Sequence, residues 1–202
     1  IYIYYNREVF QYGYMPLMGG MDGLTHEGYG RIIANHLINF NFIEFFRGNE
    51  NIFYFMPGLR YFSTFEKFIF GNNFNGILLI LIFFPISLYF VLIKLKFNKR
   101  FCMLFIILFV LLKIPYVGFS YDHFARGALT FYPETFSTFF FFIFIILMFN
   151  KKYFLSGIFC SLMVFIRPNY FPILFIYFLY NCYLFLKFND YKKLFFTTLG
   201  LA

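Results

Sequence analysis

Residues 76–93 read GILLILIFFPISLYFVLI, a run without a single charge. A helix needs about 20 mostly apolar residues to cross the hydrocarbon core of a bilayer. This run constrains the chain more than any other feature because it recurs. Residues 101–119 form a second such segment, with Lys113 and Pro115 near its far end. Further segments cover 134–149, 153–166 and 171–188, and another starts within 194–202. Short charged stretches separate them. Pro85 lacks the N–H of a helix interior and predicts a kink in the first segment. The expected fold is all-α: a polytopic transmembrane helical bundle, covering 76–202. It is preceded over 1–75 by an outer loop of interfacial amphipathic helices.

Composition supports the membrane class. Charged residues make up 13% of the chain, against about a quarter in a soluble domain. The hydrophobic share is 61% and the mean hydropathy +0.71, too apolar for a water-soluble globule. The chain has 39 Phe, 18 Tyr and no Trp. That bias fits the codon usage of an AT-rich genome and carries no aromatic function by itself. Cys102, Cys160 and Cys182 lie in apolar runs without metal-ligand or redox spacing and read as small buried hydrophobes. Ile1 at the start and an apolar run opening at Ala202 give the expectation of a fragment of a longer protein.

The net charge of +8 is distributed as loop charge. No basic run is long enough to engage nucleic acid, and no nucleic-acid partner is expected. Alternate connections split cleanly. One set holds Lys94, Lys96, Lys99, Arg100, Lys151, Lys152, Lys187, Lys192 and Lys193. The other holds Arg126 and Arg167 with Asp122 and Glu134. The basic set is expected to be cytoplasmic. Eight of the nine acids, all but Asp190, then belong to the opposite face.

That face carries the densest chemistry, in GGMDGLTHEGYGR at 19–31. Asp22 stands among Gly19, Gly20 and Gly23, where backbone and substrate can approach closely. Asp22 and His26 are four residues apart and meet if the turn is helical. With Glu27 they form a candidate proton-sharing group or a thin ligand set for a divalent metal. The plain alternative is an acid at a helix N-terminus with solvated neighbours. Thr25 is a candidate cap for a helix starting at His26. Ile32, Ile33, His36, Leu37 and Phe40 recur at helical spacing, with Arg31, Asn35 and Asn39 between them. A second amphipathic stretch runs from Tyr61 to Phe70, after a turn containing Pro57, Gly58 and Arg60. Such helices are expected to lie along the membrane surface. Arg60, Arg126 and Arg167 are candidate phosphate-binding forks; snorkelling, or pairing with Glu134, is the plain alternative. Asp122 and His123 are further candidates for the same cleft. Lys113 is costly at membrane depth and is expected to snorkel outward.

The order of these features resembles the GT-C superfamily of polytopic membrane glycosyltransferases, which includes protein mannosyltransferases and bacterial lipid-sugar transferases. The features are an outer-loop acid in MDGLTHEGYGRI, a PGLRYF turn, FYPETFSTFFFF, and NKKYFLSGIFCSLMVFIRPNYFPILFI. Within them, Pro133-Glu134, Lys151-Lys152, Gly157 and Arg167-Pro168 match a pattern that recurs in the superfamily. The resemblance implies a sugar moved from a polyprenyl-phosphate donor to a lipid, glycan or protein acceptor, with inversion. It implies that Asp22 is the general base and that Arg167 is a phosphate contact. The chain departs from the commonest pattern in having Gly23, not a second acid, after Asp22. The expected location is multi-pass in a bacterial inner membrane, with the site on the periplasmic face. A transporter or flippase is the rival reading and predicts polar groups distributed at mid-bilayer. A non-catalytic scaffold is the third, and it predicts that Asp22 is dispensable.

Overall fold

The computed structural model describes residues 21–47, 57–70, 75–112, 120–188 and 197–201. The described residues are helical, with short turns and no strand. In chain order the helices are α1 (Met21–Ile38), α2 (Phe42–Arg47), α3 (Pro57–Phe70), α4 (Asn75–Lys94), α5 (Lys99–Leu111), α6 (Tyr121–Leu129), α7 (Pro133–Phe149), α8 (Tyr153–Ile166) and α9 (Phe171–Phe188). A 3-10 turn at Pro168–Tyr170 leads into α9, and 197–201 is helical again. Lys113, Pro115, Asp190, Lys192 and Lys193 lie outside the described residues.

The apolar segments read from the sequence coincide with helices, but their lengths differ from spans. Two described helical stretches, Asn75–Lys94 and Pro168–Lys187, are long and apolar enough to cross a membrane. A third results if α6 and α7 count as one span, although they bend by 118° at their junction. Helix α8 has 14 residues, short of the about 20 a span needs; α5 has 13, and 113–119 of the expected second segment lie outside the described residues.

Helix α7 is the hub. It packs along α8 and against α4 and α6. Phe84, Phe124, Phe136 and Phe142, with Met163 and Ile166 from α8, form one continuous apolar core. Around it stands a shell of exposed large hydrophobics, among them Ile82, Phe83 and Phe90 on α4, Phe101 and Leu104 on α5, and Phe175 and Ile176 on α9. In water such a surface would associate with other molecules; in hydrocarbon it is solvated.

Helix α4 continues through Pro85. A proline removes the bond to the carbonyl four residues back, here that of Leu81. The Tyr121 hydroxyl donates to that carbonyl at 3.0 Å. The predicted weak point is thereby tied to α6.

The charge partition of the connections is also a partition of the fold. Lys94 donates to Asn150 Oδ1, which brings the C-terminal ends of α4 and α7 together at the basic end. At the far end Arg167 pairs with Glu134 at 2.6 Å, and α3 begins against the end of α8. A Cβ on Gly58 would lie 2.5 Å from the Phe165 backbone carbonyl. Helices α1 to α3 therefore sit at the acid-bearing end.

Candidate functional site

Helix α1 starts at Met21, not at His26, so Thr25 lies inside the helix and does not cap it. Glycines at 23, 28 and 30 suggest a break by propensity alone. Tertiary contact overrides this, because two of them are needed for close approach. A Cβ on Gly23 would fall 2.0 Å from the Thr130 carbonyl oxygen, and one on Gly30 would fall 2.5 Å from Ser63 Oγ. Gly23, His26, Glu27, Gly30, Ile33 and Ala34 form a buried seam at helical spacing. The expected apolar stripe meets that seam only in part: Ile33 is buried with Leu37 packed beside it, whereas Ile32 and Phe40 are exposed, and Phe40 lies past the end of the helix.

Helix α3 supplies the opposing face, and its polarity is reversed. Arg60, Ser63, Thr64 and Glu66 are buried, while Phe65, Phe68 and Ile69 are 50%, 58% and 69% exposed. It is amphipathic as expected, but the polar stripe points inward. Arg60 belongs to the first turns of this helix rather than to a surface turn, because Pro57 is accepted as a first helical residue. The Thr64 hydroxyl donates to the Gly30 carbonyl at 3.0 Å and to the Arg60 carbonyl at 2.9 Å. The two helices thus cross at backbone contact and bring their charged side chains into register.

Two layers result. In the first, Arg60 is 1% exposed. Its Nε donates to His26 Nδ1 at 3.4 Å, and its guanidinium carbon stands 4.4 Å from the centre of the Tyr29 ring. An imidazole nitrogen that accepts is unprotonated, so the geometry selects neutral His26 with its proton on Nε2. Burial lowers the Arg60 pKa from its ordinary value, and Tyr29 opposes that shift. In the second layer Glu27 Oε1 accepts from Arg31 Nη2 at 2.6 Å and Nε at 3.0 Å, and from Lys67 Nζ at 3.0 Å. Lys67 Nζ lies 6.0 Å from the Phe131 ring centre. Phe131 is buried at the α6–α7 corner with φ of +56°, a conformation a bulky side chain adopts only when its surroundings force it.

Glu66 was not singled out by the sequence. Its Oε1 accepts from the Gly76 N–H at 3.2 Å. A Cβ on Gly76 would lie 2.4 Å from Glu66 Cγ, so only glycine fits beside it. Its Oε2 is buried with no partner among the described residues. Burial pushes its pKa up to about 7, with a smaller push from Glu27; Lys67 and the Gly76 N–H pull the other way. Glu66, Lys67, Ser63 and Tyr29 were all missed. The available signal was polar residues at 60, 63, 64 and 67, a helical stripe embedded in Phe and Ile.

The other predicted residues separate. Asp22 has its backbone in the first turn of α1, next to the Gly23–Thr130 contact; its side chain lies outside the described residues. Arg126 is 70% exposed and pairs with Asp122 at 3.0 Å, and His123 is exposed. Arg167 pairs with Glu134. The described contacts join Arg60, but neither Arg126 nor Arg167, to the His26–Glu27 turn. The three arginines were expected to converge; two are instead taken by acids on α6 and α7. Among the described residues no three His, Cys, Asp or Glu side chains are grouped to hold a metal, and the Glu27 carboxylate is engaged by two cations.

Beside this seam, on the other flank of α3, lies an apolar cavity of about 580 Å³. Tyr61, Phe62, Phe65, Phe140 and Phe165 are among its walls. No protein-family model, curated protein or solved structure matches the chain.

Proposed function

We propose that the chain belongs to a multi-pass membrane glycosyltransferase of the GT-C kind. It takes a sugar from a polyprenyl-phosphate donor and gives it to an acceptor on the acid-bearing face. The charge rule turns that face away from the cytoplasm, and the reading takes it as the periplasmic side of a bacterial inner membrane. The observation that carries this reading is the reversed polarity of α3. A helix with Arg60 and Lys67 turned inward and Phe65, Phe68 and Ile69 turned outward suits hydrocarbon better than water. It presents buried cations within one helix diameter of an apolar cavity. A lipid-linked phosphate needs both: a cavity for chain and cations for the phosphate.

In this reading Asp22 takes the proton from the acceptor hydroxyl as that oxygen attacks the anomeric carbon. The new bond forms opposite the breaking sugar–phosphate bond, so configuration inverts. The polyprenyl phosphate leaves with the bonding electrons, and Arg60 and Lys67 stabilise its growing charge. His26 orients Arg60, and Glu27 orients Lys67.

The test uses membranes holding the full-length parent protein, supplied with a panel of labelled polyprenyl-phosphate sugars. Wild type should release or transfer label, and Asp22→Asn at equal expression should lose at least about a hundredfold in rate. Equal activity of both would remove Asp22 as base. No transfer from any donor in the panel would sink the transferase reading.

A further inference from the structure

The basic end of the molecule, away from the α1–α3 seam, carries a second cavity, of about 510 Å³. It lies between the end of α7, the start of α8 and the middle of α9. Met148, Lys151, Tyr153, Ile173, Tyr177 and Asn181 are among its walls. Most of the lining is apolar, and two polar groups stand out.

The first is Asn181, 1% exposed in a helix whose other faces are largely uncovered. Its Nδ2 donates to the Tyr177 carbonyl at 2.7 Å. That bond fixes the amide orientation, since the flipped amide would set oxygen against oxygen. Its Oδ1 is then buried without a donor among the described residues. Tyr177 cannot supply one, because its hydroxyl is engaged with Ser156 Oγ at 2.6 Å. An unmatched acceptor is costly in a protein interior and has no water to turn to in hydrocarbon.

The second is Lys151 at the rim. It occupies the left-handed region with φ of +59°, and its N–H closes the turn on the Met148 carbonyl at 3.1 Å. No carboxylate among the described residues pairs with its ammonium. Lys94 and Lys152 belong to the same end of the bundle. The cleft therefore offers an apolar wall, a cation and one acceptor in want of a donor. Exposed Phe175, Ile176 and Leu179 on α9 continue it into the lipid-facing surface.

We propose that this cleft binds one anionic glycerophospholipid of the basic-side leaflet whose headgroup carries a hydroxyl, of the phosphatidylglycerol type. An acyl chain lies along Met148 and Ile173. The phosphate meets Lys151, in the leaflet where anionic lipid concentrates. The headgroup hydroxyl donates to Asn181 Oδ1 after a small turn about the soft terminal torsion of the amide. A trapped water fits this chemistry less well, because it needs two to four polar partners and the wall is mostly apolar. This inference does not depend on the transferase reading.

The test is lipid retention by the purified, delipidated full-length protein in detergent, read by native mass spectrometry. Three lipids of matched chains are added: phosphatidylglycerol, phosphatidylcholine and phosphatidylmethanol, which is anionic but has no headgroup hydroxyl. Wild type should retain phosphatidylglycerol about fivefold over phosphatidylcholine and about threefold over phosphatidylmethanol. Lys151→Asn keeps the left-handed turn accessible and should abolish the first preference. Asn181→Leu, of similar volume, should abolish only the second. Equal retention of phosphatidylglycerol and phosphatidylcholine by wild type overturns the proposal, as does a preference that survives Lys151→Asn. If Asn181→Leu does not fold, the wild-type comparison with phosphatidylmethanol still decides the role of the hydroxyl.

Discussion

Helix pairs α1–α3 and α7–α8 are joined by opposite physics. Helices α7 and α8 meet through Phe140, Phe159 and Met163, with the aromatic core behind them. Helices α1 and α3 meet through Gly30, Ser63 and Thr64, with Arg60, Glu27 and Lys67 between them. The first pair would tolerate volume-conserving exchange of one hydrophobe for another. The second also packs Ile33 against Leu37 and Tyr61, but its polar contacts are directional. A seam of this kind is a costly way to hold two helices, since each charge must be stripped of solvent. It is a useful way to hold charges at fixed positions. That contrast is why the site is assigned to α1–α3 and not to the better-packed bundle.

The sharpest way to break the contrast is to remove its central cation. Arg60→Ala should destabilise the protein by about 3 kcal/mol, from the lost contact with Tyr29, the lost bond to His26 and the void left behind. Thermal unfolding in detergent would measure it. A loss below about 1 kcal/mol would mean that the seam is held by backbone contact alone. Phe159→Leu in the apolar pair should cost less, because neighbouring hydrophobes can refill part of the volume.

Gly23→Ala probes the same seam through shape. Its new methyl group would meet the Thr130 carbonyl, a backbone group beside the left-handed Phe131 that cannot swing aside. The expected cost is about 2–3 kcal/mol. Gly28→Ala is the control. Nothing lies within 4 Å of a Cβ there, so this change should be neutral or stabilising by helix propensity.

These glycines also show where the sequence was legible and where it was not. The bounds of α8 and α9 follow from uniform apolar runs ended by charge or proline, and they were read correctly. The start of α1 was misplaced because Thr25 looks like a cap, whereas the helix runs on through both Gly23 and Gly30. Their value lies in contacts with Thr130 and Ser63, which are 107 and 33 residues away in the chain. His26 and Glu27 were legible as candidate residues, and both are buried. Their partners were not, because Arg60 reached His26 across a helix crossing that local pattern cannot reveal. Arg126 and Arg167 pair with Asp122 and Glu134, and the pairing with Glu134 was already an alternative in the sequence.

Glu66 gives the seam a pH dependence that the apolar pair lacks. Its folded pKa of about 7 lies above the ordinary value of 4.5. The folded state therefore holds this proton more tightly than the unfolded state. Its stabilising contribution is full below about pH 4.5 and is lost as pH rises through about 7. The change is on the order of 2 kcal/mol. Wild type should lose melting temperature across that window, and Glu66→Gln should flatten the profile. An unchanged slope in the variant would assign the dependence to another group.

The smallest expected effect tests how the apolar region handles its one backbone defect. Pro85 cannot bond the Leu81 carbonyl, and Tyr121 does so instead. Tyr121→Phe removes that donor and should cost about 1 kcal/mol. In Pro85→Ala the backbone N–H returns to the same carbonyl, so Tyr121→Phe on that background should cost almost nothing. The coupling between the two changes, about 1 kcal/mol in a double-mutant cycle, isolates the hydroxyl–carbonyl bond from general loss of packing. If Tyr121→Phe costs the same on both backgrounds, the tyrosine acts through its ring and not as a substitute donor. The two regions would then differ more than proposed, because among the described contacts no directional side-chain bond would tie α4 to α6.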